Sequence, residues 1–215
     1  SLSLWLTLAT LIVTLRQQPS VGKVLANIAH LVGLAALAST VDNLAPHFGM
    51  HQWGVAVLIG MMLEWIALLL LARSSLWQKS TWFVGLGLAG LGYLLLFTSV
   101  GFRAAVWGSA TLLIPTALTA LIFFPQFHWI EQAIGFSVGS AIAVQFLTFE
   151  AVIPRLMGLV LGAVLMTLNT MRRPQLLTAV LSVGFGLAGS SAIVWEIWND
   201  IAFQVWFNLA VIPLW

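Results

Sequence analysis

One carboxylate, Glu64, stands near the middle of an apolar stretch long enough to cross a bilayer. It follows Trp53 by 11 residues and precedes Arg73 by 9, which is about 16 Å and about 13 Å at the rise of an α-helix. An ionisable group at that depth is costly to keep, and in membrane helices such groups mark ion and proton pathways. His30 comes seven residues after Lys23 on the preceding stretch, about 10 Å from that end. The two stretches run antiparallel, so the depths of His30 and Glu64 differ by about 3 Å and contact is within reach. Asn27, three residues before His30, shares its helical face. A Glu64–His30–Asn27 cluster would bind a cation or relay protons. The competing assignment makes Glu64 a protonated carboxyl that hydrogen-bonds a neighbouring helix and only holds the bundle together.

A second group gathers where apolar stretches end. Asp42, His47 and His51 flank one connection, and three such ligands with a water suit Zn, Ni or Cu(II). Pro46 and Gly49 make the segment a loop rather than the helix that His-x-x-x-His spacing needs. Interfacial histidines beside a helix-ending Asp are therefore preferred over a metal. Arg103, Glu150, Arg155, Glu196 and Asp200 reach the same outer side. Opposite charges at the lipid boundary are expected to pair and fix helix ends. The alternative assigns Asp42, His47, His51, Arg103 and Glu150 to the rim of an outward-facing vestibule.

Residues Gly85 to Gly90 spell G-x-G-x-x-G. A dinucleotide site needs a strand before that motif and an acidic residue about 20 positions on. Here it lies inside an apolar helix, so the glycines are expected to let helices approach closely. Gly135–Gly139 and Gly158–Gly162 repeat the spacing and read the same way. Pro115, mid-span in the fifth stretch, is a candidate kink whose freed carbonyl Thr111, Thr116 or a neighbouring helix would satisfy.

Catalysis finds little support. There is no Cys, no clustered Asp for magnesium pyrophosphate, and no His after Ser190-Ser191. The chain is not expected to be an enzyme, with untyped membrane-lipid chemistry left open. No cofactor is expected. Retinal is excluded, because its Schiff base needs a lysine within a span and the lysines, Lys23 and Lys79, fall in loops.

The elements that must position these residues fill nearly the whole chain. Of 215 residues 61% are hydrophobic and 7% charged, far below the roughly 25% charge of soluble domains, so the solvent is lipid. A net charge of +2 gives no footprint for nucleic acid. Spans of about 20 helical residues are expected at 1–15, 24–44, 53–72, 81–100, 104–124, 130–153, 156–171 and 176–195, with a ninth at 201–215. The expected fold is all-α, a polytopic bundle of 8–9 helices in a single membrane domain spanning 1–215. With the N-terminus outside, inner loops collect Arg16, Lys23, Arg73, Lys79, Arg172 and Arg173, against Arg103 and Arg155 outside.

Val84–Gly90 recurs as Val183–Gly189, and Arg73 matches Arg172 at the same offset. A 4+4 parallel repeat of 1–100 and 104–200 would explain both, as would chance similarity between glycine-rich helices. The chain opens at Ser1 without Met and stops at Trp215 within an apolar stretch, as expected of a processed or truncated chain.

Two functions fit. One is a small transporter or channel for a small ion or metabolite, proton-coupled through Glu64. The other is a non-catalytic input or sensor domain of a bacterial signalling protein, or a structural subunit of a larger membrane complex. The expected partners are membrane lipids, the small solute, and a cytoplasmic effector domain or partner subunit. The expected location is the bacterial inner membrane, with the C-terminus cytoplasmic if there are nine spans.

Overall fold

A computed structural model describes residues 2–17, 22–71, 76–98, 107–198, 205 and 208–209. Every regular element among them is helical: α1 (Leu2–Gln17), α2 (Gly22–Leu44), α3 (Met50–Leu70), α4 (Leu76–Phe97), a 3₁₀ turn (Ser109–Leu112), α5 (Leu113–Leu121), α6 (Ile130–Thr148), α7 (Val152–Arg172) and α8 (Leu176–Trp198). A helix satisfies its own backbone hydrogen bonds, which lipid cannot do. Five stretches, Met50–Leu70, Trp77–Phe97, Ile130–Thr148, Val152–Arg172 and Leu176–Glu196, are long and apolar enough to cross a membrane. The described residues are all-helical, and these five helices are consistent with an integral membrane protein. The chain divides into two compact units, Ser1–Leu95 and Leu96–Trp215.

In the first unit, α3 and α4 lock by two side chains set into two glycines. The Trp65 indole occupies the space that a Cβ on Gly85 would need, and Leu58 Cδ2 comes within 2.6 Å of a Cβ on Gly92. The positions are seven apart on both antiparallel helices, two turns, so both contacts fall on one seam. Trp65 also stacks on Trp82, ring centroids 6.0 Å apart, and both are buried. Two glycines of this helix therefore do pack, but Gly87 and Gly90 face open space.

The turn into α3 is held locally. Gly49 caps the helix in an extended conformation, its N–H donating to Gln52 Oε1 at 2.6 Å. Phe48 packs edge-on against Trp53 at 5.9 Å, a hydrophobic staple across the helix start. Helix α3 thus begins at Met50, three residues before the expected span, and His51 lies in its first turn.

The second unit departs further from expectation. The fifth stretch runs as a 3₁₀ turn into a nine-residue α5. Pro115 is the third residue of α5, but helical backbone already begins at Trp107 and runs through it. The tightening to 3₁₀ geometry just before Pro115 is the local distortion that a proline within a helical run brings. Thr111 and Thr116 bond the carbonyls of Gly108 and Leu112, and Ser137 approaches the Pro115 carbonyl at 3.4 Å. Helix α7 starts at Val152, so Pro154 and Arg155 belong to its first turn, where an N–H has no intrahelical acceptor to lose, instead of breaking the chain. Gly158 lies against Gln145 and Thr148 of α6, and Gly162 against Phe185 of α8. Gly135 and Gly139 are exposed, with nothing within 4 Å of a Cβ on either, so that pair packs against nothing within its unit. Arg73, Arg103, Asp200 and most of the ninth stretch lie outside the described residues. Asn208 of that stretch hydrogen-bonds both Ser190 and Ser191 on α8.

Candidate functional site

Helices α2, α3 and α4 bring Asn27, His30 and Glu64 together around Ser80. His30 Nε2 lies 3.5 Å from Glu64 Oε2. On the other edge of the ring, Nδ1 lies 2.8 Å from Ser80 Oγ, which donates to Asn27 Oδ1 at 2.7 Å. Trp77, one turn before Thr81 on α4, meets the imidazole edge-on at 5.2 Å. Asn27 and His30 share a face of α2 because they are three residues apart.

The hydrogen-bond pattern favours one tautomer. A serine hydroxyl has one hydrogen; directed to Asn27 Oδ1, it leaves the Ser80 oxygen to accept from His30 Nδ1, and the Ala26 backbone also bonds the ring. Thr81 Oγ1 stands 3.5 Å from His30 Nε2, but its own hydrogen goes to the Trp77 carbonyl at 2.8 Å. With Nδ1 protonated, one proton shared across the gap between Nε2 and Glu64 would complete the pair. Placed on the carboxyl it gives a neutral pair, and placed on the ring it gives an ion pair. The 3.5 Å gap exceeds a made hydrogen bond by about half an ångström, so a small approach of α2 and α3 closes it.

Each end of this chain meets a cavity. Glu64 and His30 line one of about 280 Å³ with Trp5, Gly33 and Trp77. Asn27 lines a larger groove of about 670 Å³ that is otherwise apolar, bounded by Leu31, Trp53, Phe83 and Gly87 among others. Ser80 and Thr81 were not singled out from sequence. A hydroxyl pair at the start of an apolar helix looks like an ordinary helix start, and only the neighbouring α2 gives it a partner.

The outer-end candidates do not assemble in the same way. Asp42 lies on the last turn of α2 and His47 in the connection, both exposed, and His51 in the first turn of α3. Among the described residues no three His, Asp or Glu side chains gather to hold a metal. Glu150 is exposed between α6 and α7. Arg155 pairs with Glu196 at 2.8 Å, joining the start of α7 to the end of α8, and Arg173 stands 3.7 Å from Glu131.

The second unit holds a buried polar cluster that the sequence did not suggest. Ser137 Oγ lies 2.9 Å from Thr119 Oγ1 and accepts from Asn169 Nδ2 at 3.2 Å, all three side chains being buried. Asn169 Oδ1 has no hydrogen-bond partner. Thr167 with Ser182, and Thr170 with Thr178, add two hydroxyl bridges between α7 and α8. An amide inside an apolar stretch was the available signal for Asn169, since such a group needs a partner in lipid. No family model, curated protein or solved structure matches the chain.

Proposed function

We propose that this chain is a small membrane transporter or channel for a small ion or metabolite, coupled to protons at the Glu64–His30 pair. The observation that carries the reading is the approach of His30 Nε2 to Glu64 Oε2, 3.5 Å apart on two adjacent helices. A pair that changes between neutral and ionic by moving one proton is the element a proton-coupled carrier needs. The cavity beside it gives solutes or water a place to meet Glu64.

The wider frame is part of the same proposal. It comprises eight or nine spans, the N-terminus outside, and a bacterial inner membrane, supported by six basic residues on one side against two on the other. The boundary between the compact units, at Leu95 and Leu96, falls near the break of the parallel repeat. Against a close repeat, Gly85 receives Trp65, whereas Gly184 at the matching position has nothing within 4 Å. His30 and Glu64 match Trp129 and Ala163, so the chain carries one such site.

The test compares wild type with Glu64→Gln in liposomes, reading proton and cation flux under a pH gradient. Flux in wild type that is lost in the variant, with both folded, supports coupling at Glu64. No flux in either sinks the reading and favours an input domain or complex subunit. The hydroxyl pairs of the second unit favour that alternative, because Thr119 with Ser137, Thr167 with Ser182 and Thr170 with Thr178 bond one another across α5 to α8.

A further inference from the structure

We propose that the groove between α2, α3 and α4 holds one chain of a bilayer lipid, whose ester carbonyl accepts a hydrogen bond from Asn27 Nδ2. At about 670 Å³ the groove is within the roughly 300–1,000 Å³ of ligand pockets, which are mostly apolar with few placed polar groups. Along α2 its lining runs from Asn27 to Val41, 14 residues, or about 21 Å. That is about two-thirds of a hydrocarbon core of about 30 Å, the extent of an outstretched acyl chain. Gly87 supplies width, since a Cβ there would meet nothing within 4 Å.

The polar end selects the chemistry. Asn27 Oδ1 accepts from Ser80, and Nδ2 has no acceptor among the described residues. The open polar group of the groove is therefore an N–H donor. An ester carbonyl is a neutral acceptor for it at the head of an apolar chain, whereas an ammonium has no lone pair to accept with. Asn27 stands five residues from the first residue of α2, about 8 Å along it, so the carbonyl would lie toward one face of the bilayer and the chain would run inward. A lipid bound there holds the amide with Oδ1 toward Ser80, and so supports the His30 tautomer. That consequence rests on the proton-coupled reading; the binding does not.

The experiment uses the full chain in lipid nanodiscs. Two photoreactive probes are compared, a methyl octadecanoate and an octadecane, each with a mid-chain diazirine, and labelled residues are mapped by mass spectrometry. The expected result is saturable labelling of groove residues on α2, α3 and α4, with the ester favoured about fivefold, the value of a hydrogen bond of about 1 kcal/mol. Asn27→Leu should keep the labelling and lose the ester preference. Gly87→Leu should remove groove labelling, with Gly60→Leu as a second blocking variant and thermal melting as the check on folding. Labelling that never saturates and survives both blocking variants would overturn the proposal, as would equal labelling by the two probes in wild type. Glu64→Gln should label like wild type, so loss of the transport reading and loss of this one give different results.

Discussion

His30 Nδ1 lies 2.8 Å from the Ser80 hydroxyl, while Nε2 on the other edge of the ring faces Glu64. Ser80 is buried, so no water replaces it readily. Ser80→Ala removes the acceptor and frees the ring to take the other tautomer or to turn. Nitrogen-15 NMR of His30 should report a protonated Nδ1 in wild type and a mixture in Ser80→Ala. Proton flux should fall about 2- to 12-fold, matching one hydrogen bond of about 0.5–1.5 kcal/mol. An unchanged tautomer in Ser80→Ala would remove Ser80 from the relay and leave it a packing residue. His30→Gln keeps hydrogen-bonding capacity but cannot carry a proton, and its flux should match that of Glu64→Gln.

The contact between His30 and Glu64 was legible because depth along a helix is arithmetic. A residue's count from the charged end of its span fixes its level in the membrane, and antiparallel neighbours at one level can meet. Ser80 and Asn169 were not legible in that way. Hydroxyls and amides near helix ends have many local acceptors, including the carbonyl four residues back, as Thr167 and Thr170 use here. Nothing in their spacing says which will reach across to another helix. Pro154 was misplaced for a related reason: proline stops a helix only when an N–H is needed, and the sequence does not mark where a first turn begins.

Gly85 and Gly87, two residues apart, should respond oppositely to one added methyl. A Cβ at Gly85 collides with the Trp65 indole, whereas at Gly87 it meets nothing within 4 Å. Trp65 is itself buried against Trp82, so it has little room to retreat. Gly85→Ala should destabilise by about 1–3 kcal/mol through overpacking. Gly87→Ala should be neutral or stabilising by about 0.5–1 kcal/mol, the usual gain over glycine inside a helix. Thermal unfolding in detergent measures both. Equal effects would mean that the Trp65–Gly85 contact does not set the spacing of α3 and α4.

Ser137 is the hub of the second unit's polar core, and its removal should cost more than the removal of Asn169. Ser137→Ala leaves Thr119 and the Asn169 amide buried without their shared partner, a loss of about 1–3 kcal/mol. Asn169→Leu takes away an amide whose Oδ1 already has no partner and fills similar volume, so its cost should stay below about 1 kcal/mol. A double variant should be less than additive, since both changes break one contact. If Asn169→Leu proves the more damaging, the amide oxygen has an acceptor role that the paired hydroxyls do not explain.

Two ion pairs of similar composition should differ in worth. Arg155 and Glu196 meet at 2.8 Å, with side chains 27% and 35% exposed, whereas Arg173 and Glu131 stand 3.7 Å apart at 54% and 73%. The shorter pair is a charge-assisted hydrogen bond that ties the start of α7 to the end of α8. Exposure still limits it, so a double-mutant cycle with Arg155→Gln and Glu196→Gln should give a coupling of about 0.5–1 kcal/mol that shrinks in high salt. The cycle at Arg173 and Glu131 should give about zero. Arg172 offers an internal contrast, because its Nε donates to the Ile122 carbonyl at 3.0 Å and joins α7 to the end of α5. Arg172→Leu removes that donor and should destabilise more than Arg173→Leu, with little dependence on salt. A reversed order would place the restraint on α7 in surface charge rather than in the backbone contact.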